Sequence, residues 1–224
     1  GKAVHLGERD CSMQRRNQKM VEESPAPHLP EERRREMGRI VAEACLHINY
    51  RSAGTFEFLY ENGAFHFIEM NTRLQVEHPV TELVTGVDIV RWQLLIASGH
   101  PFTLDQSAIR QQGHAIECRI NAEDPETFLP SPGRVAGMRW PGGPGIRLDS
   151  YLAQDCQVPP QYDSLVAKLV AHGPDRKTAL ARMRTALAEM EIKGIRSNIP
   201  LQQRILEDPG YLSGGMDIHY LEHM

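Results

Sequence analysis

The 224-residue sequence has only four cysteines, Cys11, Cys45, Cys118 and Cys156, and no two form a CxxC pair. That spacing argues against a structural zinc site and for reduced thiols in a cytoplasmic protein. No apolar run approaches the roughly 20 residues that cross a membrane. No signal-peptide pattern opens the chain. Neither charge sign dominates: a net charge of −4 gives no reason to expect nucleic acid or an anionic membrane as partner. Repeats, low-complexity tracts and a Gly-rich GxxxxGK phosphate loop are all missing.

What remains is ordinary globular composition, 41% apolar and 24% charged, in a chain long enough for one large domain or two small ones. Ala3 to Leu6 reads as a strand already in progress, so a preceding segment is expected. A basic loop follows from Arg9 to Lys19, and Ser24 to Pro30 reads as a Pro-rich linker. Met37, Ile40, Val41, Ala44, Cys45 and Ile48 then mark one face of a helix starting near Pro30. Gly54 to Leu59 and Phe65 to Met70 read as strands, and Glu61-Asn62-Gly63 between them is a hairpin signal. Asp88 caps a helix through Ile89, Trp92 and Ile96, closed by Gly99.

From about residue 110 the texture changes, and a subdomain boundary is placed there. His114 to Ile120 and Leu165 to Ala171 are strand-like, separated by Pro- and Gly-rich sequence. Asp175 caps a helix carrying Leu180, Met183, Leu187 and Met190, stopped by Gly194. A short helix is expected around Pro200 to Leu206.

The chemistry concentrates in Phe67-Ile68-Glu69-Met70-Asn71-Thr72-Arg73-Leu74-Gln75-Val76-Glu77-His78-Pro79. Glu69, Asn71, Arg73, Gln75 and Glu77 stand at every second position and share one side if the segment stays extended. Carboxylate and amide oxygens in a row suit Mg²⁺, and the Arg73 fork suits a carboxylate or bicarbonate. The alternative is a polar edge strand laced with salt bridges. Glu57, between Phe56 and Phe58 in the partner strand, is either a solvent-facing residue or a metal ligand. A two-residue turn at Asn62-Gly63 would set Glu57 opposite Ile68 and leave Glu69 on the other face. A site shared by Glu57 and Glu69 therefore requires a bulge or an odd loop, the expected form being a three-residue loop, Asn62 to Ala64. Lys19 could equally belong to a solvated basic loop, and Arg119 to a strand surface.

Five motifs in order resemble those of biotin carboxylases. They are Glu8-Arg9-Asp10-Cys11-Ser12-Met13-Gln14-Arg15-Arg16, Ala53-Gly54-Thr55-Phe56-Glu57-Phe58, Glu69 to Pro79, Glu117-Cys118-Arg119-Ile120-Asn121-Ala122-Glu123-Asp124-Pro125, and Tyr162-Asp163-Ser164-Leu165. The likeness runs to the Ile218-His219-Tyr220-Leu221-Glu222 tail. It implies an α+β fold: residues 1–109 as the C-terminal lobe of an ATP-grasp domain, and 110–224 as the biotin carboxylase C-terminal subdomain. It also implies site roles. Glu57 and Glu69, with Asn71 beside them, would hold Mg²⁺ (or Mn²⁺) on the ATP phosphates. Arg73, Gln75 and Val76 would hold bicarbonate, and Glu77 would deprotonate it. Lys19 would lie near the transferred phosphate. Gln14, Leu59 and Ile218 would contact the nucleotide, and Arg119 would stabilise the biotin enolate. Arg147 resembles a dimer-interface residue.

The partners implied are ATP, bicarbonate, a biotin carboxyl carrier protein and carboxyltransferase subunits, in a homodimer when complete. The activity implied is ligation in the first half-reaction of acetyl-CoA carboxylase, in fatty acid synthesis. The alternatives are the same domain of a propionyl-CoA, pyruvate or other carboxylase, carbamoyl-phosphate synthetase, and a non-catalytic docking or dimerisation module. Asn17 replaces a histidine common in the family, and Pro144 an often aromatic dimer contact. The lid of the ATP site and a biotinyl Ala-Met-Lys-Met motif are not in the sequence, and the chain is expected to be inactive alone.

Overall fold

Ile116, Cys118 and Ile120 recur at every second position of one strand, and all three are fully buried. Such alternation pins a strand to a core by one face. It anchors one of two compact units in the computed structural model, which describes residues 1–224. One unit comprises residues 1–8 and 29–112; the other comprises 9–28 and 113–224. In chain order the elements are β1 (Asp10–Arg15), β2 (Gln18–Ser24), α1 (Glu31–His47), β3 (Thr55–Glu61), β4 (Ala64–Asn71), α2 (His78–Thr85) and α3 (Ile89–Ala97). Then come β5 (His114–Asn121), β6 (Gly133–Arg134), β7 (Gly137–Arg139), β8 (Ile146–Ser150), β9 (Gln157–Val158) and β10 (Leu165–Gly173). Last are α4 (Arg176–Glu189), β11 (Glu191–Lys193), α5 (Ile199–Glu207), α6 (Pro209–Ser213) and α7 (Tyr220–His223).

The second unit is built on an antiparallel five-stranded sheet in the order β1-β2-β5-β10-β8. Helix α4 packs on β10 and β5. Its Leu180, Met183 and Leu187 join Ile205 and Leu206 of α5 and the apolar face of the sheet in one buried cluster. Burying each such side chain contributes roughly 1.5–3 kcal/mol. The Asp175 carboxylate caps α4 by accepting from Thr178 N at 2.7 Å. Pro200 sits in the first turn of α5, where no backbone donor is needed.

The basic stretch 9–19 is not a loop. It forms most of a hairpin, β1–β2, that turns through Arg16 and Asn17, both at positive φ. Met13, Met20 and Val21 are buried and hold this hairpin to the core, while Arg16 and Asn17 stay exposed. Charge at the tip thus masked apolar anchors on either side of it. Strand β2 also continues through Ser24, into the stretch read as a linker, and residues 3–6 form no strand. The hairpin groups with the second unit, whereas a single division near residue 110 would assign it to the first.

In the first unit α1 follows the expected span, with no residue fully buried. Helix α3 starts as expected at Asp88, whose carboxylate accepts from Arg91 N at 2.7 Å, and Gly99 follows it at φ 82°. The indole of Trp92 meets the Phe102 ring edge-on, with centroids 5.1 Å apart. Val80, Val84 and Ile89 are the buried apolar residues here. Helix α2 was not expected from the sequence, because its eight residues carry too short an apolar period to register.

Candidate functional site

Strands β3 and β4 pair through a two-residue turn, with Glu61 opposite Ala64 and Asn62 and Gly63 at φ 50° and 77°. The three-residue loop expected for a shared site does not form. A bulge does that work instead. Phe58 pairs with Phe67, and the next pair is Glu57 with Glu69, so Ile68 is the extra residue. The bulge moves Glu69 onto the face of Glu57. The apolar strand faces carry a cluster of rings, Phe58 against Phe65 and Phe67 at 5.9 and 5.8 Å, which keeps the ladder in register.

At the open end of the hairpin, Asn71 Nδ2 donates to Glu57 Oε1 and to Glu69 Oε1, both at 3.0 Å. Gln75 Nε2 also donates to Glu57 Oε1, at 2.5 Å. The extended alternation expected through Glu77 ends at Asn71, where the strand stops. Gln75 reaches Glu57 because the chain turns back after the strand and enters α2. The reason is Pro79, whose fixed φ suits the first turn of a helix and not a ladder. Glu77 occupies the N-cap position of α2 and is 2% exposed. Gln75 is buried, Val76 half-buried, and Arg73 exposed, donating to Leu74 O at 3.3 Å. His78 Nδ1 lies 2.9 Å from Gln75 O and closes the turn ahead of α2. Leu59 is exposed on β3.

Two carboxylates drawn to one amide are hard oxygen donors of the kind Mg²⁺ takes through one or two carboxylates, the rest of its shell coming from water and phosphate. Nowhere do three His, Cys, Asp or Glu side chains gather into a group that could hold a metal ion. Glu57, Glu69 and Asn71 fit an ion shared with a phosphate-bearing ligand.

In the second unit Gln14 and Lys19 are cross-strand partners near the tip of the β1–β2 hairpin, both half-buried. Asn17 sits in the turn itself at φ 66°, a conformation asparagine tolerates better than most residues. Arg119 on β5 is not a solvated surface residue. Its Nε donates to Glu22 Oε1 at 2.6 Å, and Nη2 lies 2.5 Å from the same oxygen. Glu22 is fully buried. Sequence reasoning passed over Glu22; its one signal was an acidic pair, Glu22-Glu23, directly after the apolar Met20-Val21. Arg147 on β8 makes a two-pronged pair with Asp149, both bonds at 2.9 Å. Ile218 is half-buried ahead of α7, and Pro144 is exposed. The Cys118 thiol is buried and pushed well above the usual thiol range, first by burial and then by the charges of Glu22 and Glu117.

Residues 117–223 match the model of the biotin carboxylase C-terminal domain, and residues 1–105 match that of the carbamoyl-phosphate synthase L chain ATP-binding domain. A curated biotin carboxylase of Allochromatium vinosum is 62% identical over 224 residues, all of this chain and 50% of the relative. One from Haemophilus influenzae is 60% identical over 222 residues, 99% of this chain and 50% of the relative. The solved biotin carboxylase domain dimer of 2-oxoglutarate carboxylase from Hydrogenobacter thermophilus, in complex with MgADP, ADP and bicarbonate, superposes with a TM-score of 0.96. It is 49% identical, over 98% of this chain and 49% of that one. The chain spans about half the length of the curated relatives it matches. With its two matched domains in order and an ATP-grasp-type α+β fold, the chain belongs to the biotin carboxylase family.

Proposed function

We propose that the protein containing this chain carboxylates biotin on a biotin carboxyl carrier protein, from ATP and bicarbonate through carboxyphosphate. The observation that carries this reading is the meeting of Glu57, Glu69, Asn71 and Gln75 at one end of a bulged hairpin. In this reading Glu57, Glu69 and Asn71 hold Mg²⁺ (or Mn²⁺), which when bound neutralises charge on the ATP phosphates. Arg73, Gln75 and Val76 bind bicarbonate. Glu77 takes its proton as a bicarbonate oxygen attacks the γ-phosphorus, with ADP as leaving group. Lys19 balances charge on the transferring phosphoryl group. Gln14, Leu59 and Ile218 contact the nucleotide. Arg119 donates to the ureido oxygen of biotin, where negative charge develops once the ring nitrogen loses its proton.

The carboxyl acceptor in this reading is acetyl-CoA, with carboxyltransferase subunits as partners, a homodimer as the assembly and the cytoplasm as the location. Likeness to a 2-oxoglutarate carboxylase domain supports a keto acid as the alternative acceptor. The test is bicarbonate- and biotin-dependent ATP cleavage by this chain extended upstream by its natural coding sequence. Glu77→Ala is expected to lower the rate on the order of 10²–10⁴-fold, the contribution of a general base. Undiminished turnover in Glu77→Ala would remove the base from this reading, and indifference to biotin would remove the reaction.

A further inference from the structure

One face of the five-stranded sheet carries a row of charged side chains that its neighbours bury. Glu22 of β2 stands directly opposite Glu117 of β5, and both are fully buried. Two residues along the same strand face, Arg119 stands opposite Lys168 of β10, which in turn stands opposite Asp149 of β8. Two cations side by side repel each other, and each is drawn toward a carboxylate on its own side. Lys168 Nζ lies 3.5 Å from Asp149 Oδ2. Arg119 turns the other way and sets two nitrogens, Nε and Nη2, on a single oxygen of Glu22. The backbone beneath is fixed as well. Arg119 O accepts from Asn198 Nδ2 at 3.0 Å and from Gln202 Nε2 at 2.8 Å, and both of these residues are fully buried.

The asymmetry of this pair is informative. The Glu22 side chain is 0% exposed, whereas that of Arg119 is 15% exposed. Taking a carboxylate fully out of water costs several kcal/mol, and a buried ion pair is often no more stabilising than apolar residues of the same volume. Stability is therefore a poor reason for Glu22 to stand in this strand. What the carboxylate does accomplish is geometrical. It holds one edge of a planar guanidinium and so fixes the direction of the plane, with the cation kept at the boundary of the core.

We propose that Glu22 is a positioning residue: it orients the Arg119 guanidinium for the developing charge on the biotin ureido oxygen. This rests on the role of Arg119 given under the proposed function. Glu22 touches no substrate and acts only through Arg119. Its loss should therefore spare the first chemical step and damage the second. Carboxyphosphate formed without biotin decays in water, so bicarbonate-dependent ATP cleavage without biotin reads the first step alone.

The experiment uses the chain extended upstream by its natural coding sequence, free biotin as the probe, and the variants Glu22→Gln, Glu22→Asp, Arg119→Ala and Glu22→Gln/Arg119→Ala. Glu22→Gln is expected to lower biotin-stimulated turnover on the order of 10- to 100-fold, the effect of misplacing a reacting group by about 1 Å. ATP cleavage without biotin should stay unchanged. Glu22→Asp should recover part of the loss, and the double variant should be no worse than Arg119→Ala, since a group acting only through Arg119 has nothing left to do without it. Three results would overturn the inference: full biotin stimulation in Glu22→Gln, parallel loss of both activities with a lowered Tm, or a double variant worse than Arg119→Ala. If Glu22→Gln does not fold, Glu22→Asp decides by the same comparison. Full biotin stimulation in Arg119→Ala identifies a different failure, that of the assigned Arg119 role, and the inference falls with it.

Discussion

Glu23, next to Glu22 in β2, points to the other face of the strand and serves a different end. It is 2% exposed. His114 Nε2 lies 2.6 Å from its Oε2, and Arg176 donates to both carboxylate oxygens, at 2.7 and 3.0 Å. Burial pushes the Glu23 carboxyl up, but hydrogen bonds from His114 and Arg176, together with the Arg176 charge, outweigh it and hold the group below the usual glutamate range. A carboxylate depressed in the folded state adds stability above its unfolded pKa and loses it as pH falls through the folded one. Glu23→Gln should therefore cost about 3 kcal/mol at neutral pH, the scale of breaking a buried pair. The cost should shrink toward zero as the pH falls below the carboxylate range. Urea unfolding of both proteins from about pH 7 down to about pH 2, from above the usual carboxylate range to below it, checks this. A constant difference would remove the ionised Glu23 from the account. Arg176 also donates to Tyr211 O and Leu212 O, so the same side chain ties β2 to the end of α6.

At the scale of elements, turns and bulges decide which side chains meet. Gly63 closes the β3–β4 turn at φ 77°, and a Cβ there would meet nothing within 4 Å. Gly194 follows β11 at φ 96°, and a Cβ there would collide with the backbone oxygen of Arg134 and sit 2.9 Å from Ala136 N. Gly63→Ala should then cost only the left-handed conformation, about 1–2 kcal/mol. Gly194→Ala should cost clearly more, because backbone must move as well. Thermal unfolding ranks the two; equal losses would mean that the Arg134 strand gives way freely. The main elements were legible because each had local punctuation: Asp88 and Asp175 as caps, Asn62-Gly63 as a turn, and Gly99 as a stop. The bulge at Ile68 had none. Nothing in Phe67-Ile68-Glu69 distinguishes a regular strand from a bulged one; the choice follows from packing the rings around it. The β1–β2 hairpin was hidden for a related reason, since its basic tip resembles a loop until the core takes Met13 and Met20.

At the scale of the whole molecule, the chain covers about half the length of the curated relatives it matches. Ile40, Leu46 and Ile48 of the α1 region and Phe67, Ile68 and Leu94 elsewhere in the first unit are large apolar residues that stand exposed. This chain alone should show little or no bicarbonate- and biotin-dependent ATP cleavage, and the upstream-extended protein should turn over. Robust turnover by the 224-residue chain would refute this. No helix is long and apolar enough to cross a membrane.

The sequence by itself determined the family, the α+β composition, the span of the long elements and which residues are candidates for the site, because those depend on residue types at fixed spacings along the chain. Only the tertiary structure decided how they meet. Glu57 and Glu69 share a face through a bulge where a longer loop was expected, Gln75 arrives by a turn instead of by alternation, and Arg119 finds Glu22 across a sheet. Each of these pairings joins residues 12 to 97 positions apart. Strand register and burial set them, and no local pattern records either.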